Sequence, residues 1–264
     1  MGTMKIVKPK ISKSNMAKLD LSDVVDVATS TESSSTKSLV FDSGPIISLT
    51  TTNLLWILEE LKTSFRGEFY IPSAVKEEII DYPLTTKKFK LEALQVNREI
   101  SKGTLKLVGS DIISKECKRL GNMANSIFKA KTRLIRIVHP AEMEVIAAAL
   151  KLGSLAIVVD ERTTRLLIED SAKLQHMLEK KLKTKVEVDQ KQLDLFLAEV
   201  RGIKVLRSIE LAIIAFEKGL LDKYLINRPD AKKMLIESFL WSIKLHGCAI
   251  SRRELDQIVK LEID

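Results

Sequence analysis

Two apolar runs in this chain end in an aspartate, Leu39-Val-Phe-Asp42 and Ala156-Ile-Val-Val-Asp160. An aspartate closing a buried strand has two common uses. It caps the helix that follows, or it projects with others into the crevice at the carboxyl edge of a parallel sheet, where α/β proteins place their sites. Two glutamate pairs extend the set. In the segment 73–81, Val75 and Ile79 mark the buried side of a helix, so Glu77 points to water while Glu78 flanks the stripe and can reach a crevice. In the helix after His139, Met143, Ile146, Ala147 and Leu150 form the stripe, and Glu142 and Glu144 flank it on opposite sides. Periodicity does not separate these two. The first-turn position of Glu142, favoured by the helix dipole, tilts the choice toward it. Carboxylates sharing one crevice raise each other's pKa unless a cation neutralises them. An all-oxygen set suits Mg2+ or Mn2+, and such an ion activates water for in-line attack on a phosphodiester.

The elements that position these acids read as alternating strands and helices. Strands are expected at 39–41, 68–71, 104–108 and 155–159, with edge strands near 186–188 and 203–206. Helices are expected over 46–61, 73–81, 86–101, 110–137, 140–152, 161–183 and 190–200, followed by a helical hairpin (208–220 and 229–246) and a short helix from Ser251. Apolar strands separated by helices imply a doubly wound α/β fold with a mainly parallel sheet covered on both faces.

The formal net charge is +8, and it is unevenly spread. Residues 84–136 carry thirteen Lys or Arg against four acids, and residues 1–18 carry five lysines and no acid. Basic concentrations of this kind attract polyanions by counterion release, so Lys87, Lys88, Lys90, Lys115, Lys118 and Arg119 are expected to bind nucleic acid. Cys117 and Cys248 match no metal-ligand spacing, and His139, His176 and His246 offer none either. No apolar run reaches the roughly 18 residues of a membrane helix and no signal-like segment opens the chain, so a reduced, cytoplasmic setting is the expectation.

The motifs resemble those of PIN domains. Phe41-Asp42-Ser43-Gly44 is similar to the family's opening motif and Ile71-Pro-Ser-Ala-Val75-Lys-Glu-Glu78-Ile79 to its second acidic motif. Ala141-Glu142-Met-Glu144-Val-Ile146 resembles the third, and Val158-Val-Asp160-Glu161-Arg162 the fourth. The order of all four is preserved. The likeness extends to the tail, at Ala215-Phe-Glu-Lys218-Gly219-Leu220 and at His246-Gly247-Cys-Ala-Ile250-Ser251, and is strongest toward prokaryotic PIN proteins related to toxin ribonucleases. His139-Pro140-Ala141 stands where the family usually has a glycine, and Arg207-Ser208 replaces a Gly-Thr turn. The resemblance implies Mg2+- or Mn2+-dependent hydrolysis of RNA, with Asp42, Glu142 and Asp160 as metal-binding carboxylates and Glu78 as a ligand through water or an orienter of the attacking water. Ser43, Glu144, Glu161, Arg162 and Thr163 are secondary candidates.

The expected organisation is a basic arm over residues 1–37 and a PIN-like domain over 38–264, with a basic helical insertion near 84–137, another near 173–201, and C-terminal helices over 208–264. The expected function is endoribonuclease action in RNA processing or decay, or as the toxin of a toxin–antitoxin pair. The alternative is a non-catalytic nucleic-acid-binding or assembly module that keeps the fold. RNA, an antitoxin or other protein, and a second copy of the chain are the expected partners, and a membrane is not.

Overall fold

Strand β1 (Ser38–Phe41) is buried along its whole length, which only a sheet covered on both faces can arrange. In this computed structural model, which describes residues 37–263, β1 lies at the centre of a five-stranded sheet. Its neighbours are β2 (Glu68–Pro72), β3 (Leu105–Val108), β6 (Ala156–Val158) and β8 (Lys204–Leu206), in the order β3-β2-β1-β6-β8, with every pairing parallel. The chain runs outward from β1 through β2 to β3, then returns to lay β6 on the other side of β1. The topological switch point therefore falls between β1 and β6, with Phe41 paired to Val158, so the residues that follow both strands share one crevice. Phe41 and Phe69 pack against each other in the core with ring centroids 5.1 Å apart and planes tilted by 53°.

The helix expected over 46–61 is two helices, α1 (Ser43–Thr51) and α2 (Ile57–Phe65). Asn53, in the left-handed region at φ 58°, breaks the run. The helical segment after β2 runs further than expected: α3 (Ser73–Lys76), a π turn (Glu77–Asp81) and α4 (Tyr82–Thr85) follow without interruption. A proline within a helix clashes with the carbonyl four residues earlier. The wider π turn just ahead of Pro83 eases that clash. Helix α5 (Lys90–Ser101) then leads into β3, so part of the segment expected as an insertion belongs to the main sheet.

The helix expected over 110–137 ends early. α6 (Ser110–Ala124) stops, and β4 (Phe128–Ala130) and β5 (Arg133–Leu134) form an antiparallel hairpin. Asn125 fixes the base of this hairpin: its Oδ1 accepts from Ile137 N at 2.8 Å and Val138 N at 3.1 Å. After α7 (Pro140–Leu152), α8 (Arg162–Glu169) and α9 (Ser171–Leu182), strand β7 (Val186–Val188) pairs with β4 and completes a second sheet of order β5-β4-β7. α10 (Gln190–Glu199) follows β7, and Arg119 of α6 bridges to Glu199 at 2.7 Å. The two segments expected as separate insertions thus fold onto each other, because each supplies strands the other completes.

Helices α11 (Ser208–Glu217), α12 (Ala231–Leu245) and α13 (Arg252–Ile263) close the fold, and the described residues form one compact unit. The buried Arg207 guanidinium joins Glu210 and Glu254, 2.7 Å from the latter, and so ties α11 to α13. The expected arm over residues 1–37 lies outside the described residues apart from Lys37. Among the described residues, no helix is long and apolar enough to cross a membrane.

Candidate active site

Asp42 follows β1 directly, and its amide donates to Val158 O of the neighbouring strand at 2.9 Å. It occupies the N-cap position of α1, yet its side chain makes no capping hydrogen bond. Pro45, which lacks an N–H, occupies that first turn without cost. Capping does not explain Asp160 either: Glu161 caps α8, its Oε2 accepting from Thr164 N at 2.7 Å. Both strand-end aspartates are buried and face the switch point.

Gly44 separates them. A Cβ placed there would stand 3.4 Å from Asp160 Cβ and 3.9 Å from Asp42 Oδ2, so the missing side chain leaves a small space between the two acids. The Asp42 carboxyl is pushed up to about 7, first by burial. The charges of Glu142, Glu78 and Asp160 add to the rise, and the Ser43 amide opposes it. Three acids distant in sequence therefore bear on Asp42, and Glu78, not Glu77, is the member of its pair whose charge reaches it. Glu142 is also raised, chiefly by burial. The His139 amide, which donates to its Oε2 at 2.9 Å, pulls the other way, while Glu161 repels it.

Asp160 is held differently. Ser208 N donates to its Oδ1 at 2.8 Å, and the hydroxyls of Ser48 and Ser208 donate to its Oδ2 at 2.8 and 2.7 Å. Three of a carboxylate's roughly four acceptor positions are thus filled. The segment Gly247–Ala249 lies beneath: Ala249 N donates to Asp160 O at 3.4 Å, and burial together with Asp160 drives the Cys248 thiol up to about 12.

The secondary candidates have separate explanations. Ser43 acts on Asp42 through its backbone amide. Glu144 accepts from Ala74 N at 3.1 Å and so braces α7 against α3. Arg162 is exposed and Thr163 half-buried at the start of α8. Lys87, Lys88, Lys90, Lys115 and Lys118 are all exposed. Arg119, also exposed, has its guanidinium forked between Glu116 and Glu199 and so joins α6 to α10.

Residues that sequence reasoning passed over complete the site. Ser48 lies one face of α1 away from Asp42, and Ser208 stands in the turn that had been noted only as a departure from Gly-Thr. Thr164 is fully buried on the Glu142 side. Its hydroxyl favours the charged form of Glu142 but makes no hydrogen bond of ordinary geometry, so the pull is weak. The exposed Lys129, Lys131, Arg133 and Arg136, counted in the basic segment but expected on a helix, lie in and just after the β4–β5 hairpin that leads into α7 and Glu142.

The donors fit a hard divalent cation. They are carboxylate oxygens, Asp42 is a buried acid whose anion has no neutralising partner among its main influences, and Gly44 leaves space beside it. Among the described residues, no three acids, histidines or cysteines form a ready-made cage, so the expected trio of Asp42, Glu142 and Asp160 does not arrive as a closed ligand set. Asp160 is instead held by Ser48 and Ser208, and Glu142 by the His139 amide. Mg2+ asks for less, since it commonly binds through one or two carboxylates and keeps waters and phosphate oxygens for its remaining positions.

No curated protein matches the chain. A PIN-domain family model matches residues 38–175, a span that holds all four acids and β1 through α8. Members of that family are generally nucleases, usually working with Mg2+ or Mn2+. The parallel sheet, the buried aspartates that follow its two switch-point strands and the match over half the chain agree: this chain belongs to the PIN-domain family.

Proposed function

We propose that the protein is a metal-dependent endoribonuclease that hydrolyses RNA phosphodiester bonds at the crevice between β1 and β6. The observation that carries this reading is the buried Asp42 carboxyl beside the space at Gly44, repelled by three further acids and raised to about 7. Once ionised, such a buried carboxylate costs the fold stability. The fold gains a site where a divalent cation is strongly favoured, because the cation reverses the repulsion. When bound, Mg2+ or Mn2+ would supply charge neutralisation and water activation for in-line displacement at phosphorus.

The chain's own residues divide the remaining work. Asp42 provides the central buried anion, with the space at Gly44 next to it. Glu142, fixed through the His139 amide, and Asp160, fixed through Ser48 and Ser208, would join Asp42 in holding the ion, directly or through water. Glu78, exposed at the mouth of the crevice, accepts a hydrogen bond from the attacking water and holds its line. The exposed lysines and arginines of the β4–β5 hairpin, with Lys87, Lys88, Lys90, Lys115 and Lys118, draw in and position the phosphate backbone.

The domain that performs this work spans residues 38–264, beyond the family match, because Ser208 and Gly247–Ala249 complete the surroundings of Asp160. Its own basic surface suits an RNA-processing or decay enzyme, and the toxin role is a narrower version of the same chemistry. Incubating defined RNAs with the wild type and with Asp42→Asn, in EDTA, Mg2+ and Mn2+, tests the proposal. Cleavage by the wild type alone, and only with metal, is expected. Equal cleavage by both proteins, or none by either, would overturn it.

A further inference from the structure

A cavity of about 550 Å3 opens beside the acids, within the size range of ligand pockets. It shares Glu78 with the carboxylate crevice, and its inner wall begins at Ile46 on α1, one turn beyond Asp42. Its outer wall comes from α4 and its link to α5, where Tyr82 is 68% and Phe89 57% exposed. Two large aromatic rings left in water at the edge of a concave apolar surface are a signal of recognition. Phe89 also holds the left-handed backbone region at φ 59°, where an aromatic residue is strained. Thr86 maintains that shape, its hydroxyl shared between Lys88 O at 2.8 Å and Pro83 O at 3.1 Å. Strain kept in place by its surroundings is a feature of ligand clamps. Lys87 and Lys88 stand on the same rim.

The ligand that brings a flat π face and phosphates together, adjacent to a phosphodiester-cleaving site, is an unpaired nucleotide. We infer that this cavity takes one base of the RNA strand next to the cleaved bond, stacked on Phe89 and Tyr82, with its phosphate at Lys87 and Lys88. The inference rests on the ribonuclease reading for the nature of the strand. The pocket selects single-stranded over duplex RNA, because a paired base cannot enter it.

Fluorescence anisotropy with the full chain in EDTA tests this without requiring cleavage. The probes are a short single-stranded RNA and a strand of equal length carrying abasic positions. Phe89→Ala and Tyr82→Ala alter exposed side chains. Each should weaken binding of the base-carrying strand by about tenfold or more, leave the abasic strand unaffected and preserve the salt slope. Phe89→Trp should restore affinity. Equal binding of the base-carrying strand by wild type and both alanine variants overturns the inference. So does a wild-type dimer in sedimentation that Phe89→Ala splits, since the cavity would then be an interface between copies. A Phe89 effect in a protein that never cleaves RNA would sink the nuclease proposal and leave the pocket standing.

Discussion

Asp160 receives both the backbone amide and the hydroxyl of Ser208, a residue 48 positions further along the chain. This contact joins β6 to the start of α11 and locks the carboxylate's orientation. Hydrogen bonds to charged groups are worth roughly 1.5–3 kcal/mol. Ser208→Ala should therefore lower stability by about 2 kcal/mol, and Ser48→Ala by a similar amount. Because both hydroxyls serve Asp160 Oδ2, the double variant should lose less than the two single losses combined. Urea unfolding with all three proteins measures this, and full additivity would show that the hydroxyls act independently.

The burial of Asp42 sets the pH response of the metal-free protein. Its folded pKa, about 7, lies above the ordinary 3.8. The folded state thus binds the proton more tightly, so this group's contribution is fully present below about pH 4 and is lost as pH rises through 7. Asp42→Asn removes the charge and should raise the Tm at pH 8 in EDTA, by at most roughly 4 kcal/mol in stability. The gain should fade toward pH 4. Thermal scans across that window, with and without Mn2+, check the sign: metal should stabilise the wild type and not the variant.

Gly44 is predicted to matter for what it leaves out. The methyl of Gly44→Ala would sit in tight but tolerable contact with Asp160 Cβ at 3.4 Å, so the variant should fold with a Tm within a few degrees of wild type. The methyl fills the space beside Asp42, however, and Mn2+-induced stabilisation should shrink together with RNA cleavage. Calorimetric titration with Mn2+ reads the first effect. Wild-type metal affinity in Gly44→Ala would place the cation elsewhere.

The basic residues should separate into two groups. Charge reversal at Lys87, Lys88 and Lys90 should weaken single-stranded RNA binding and reduce the slope of log K against log salt by about 2, as three phosphate contacts disappear. Arg119→Ala should leave that slope unchanged and lower stability instead, because its partners are Glu116 and Glu199. Parallel salt titrations decide between a phosphate-binding face and a solvated one.

Much of this arrangement was legible in the sequence. Leu39–Phe41 and Ala156–Val158 are apolar without alternation, which signals strands covered on both faces, and each is followed closely by an aspartate. Glu78 separated from Glu77 by its position relative to Val75 and Ile79. Less legible was anything that depended on pairing between distant segments. Phe128–Ala130 is too short to outweigh the helical pattern before it, and becomes a strand because Val186–Val188 lies alongside. Ser48 and Ser208 look like ordinary polar residues until the fold aims both at one carboxylate. The strain at Phe89 has no signature in a sequence that offers no glycine there.

The ladder between β4 and β7 has a consequence for chain continuity. It joins Phe128 to Val188 and Ala130 to Val186, so the 55 residues between those inner partners hang as a loop from a clasp of three residue pairs. Glu142 and Asp160 both lie within that loop. At its entrance the chain turns sharply through Lys131 and Thr132, exposed and paired to nothing across the ladder. Backbone connection at that turn and integrity of the acid cluster are therefore separable properties: fresh termini opened there would leave both glutamate and aspartate where the sheet holds them.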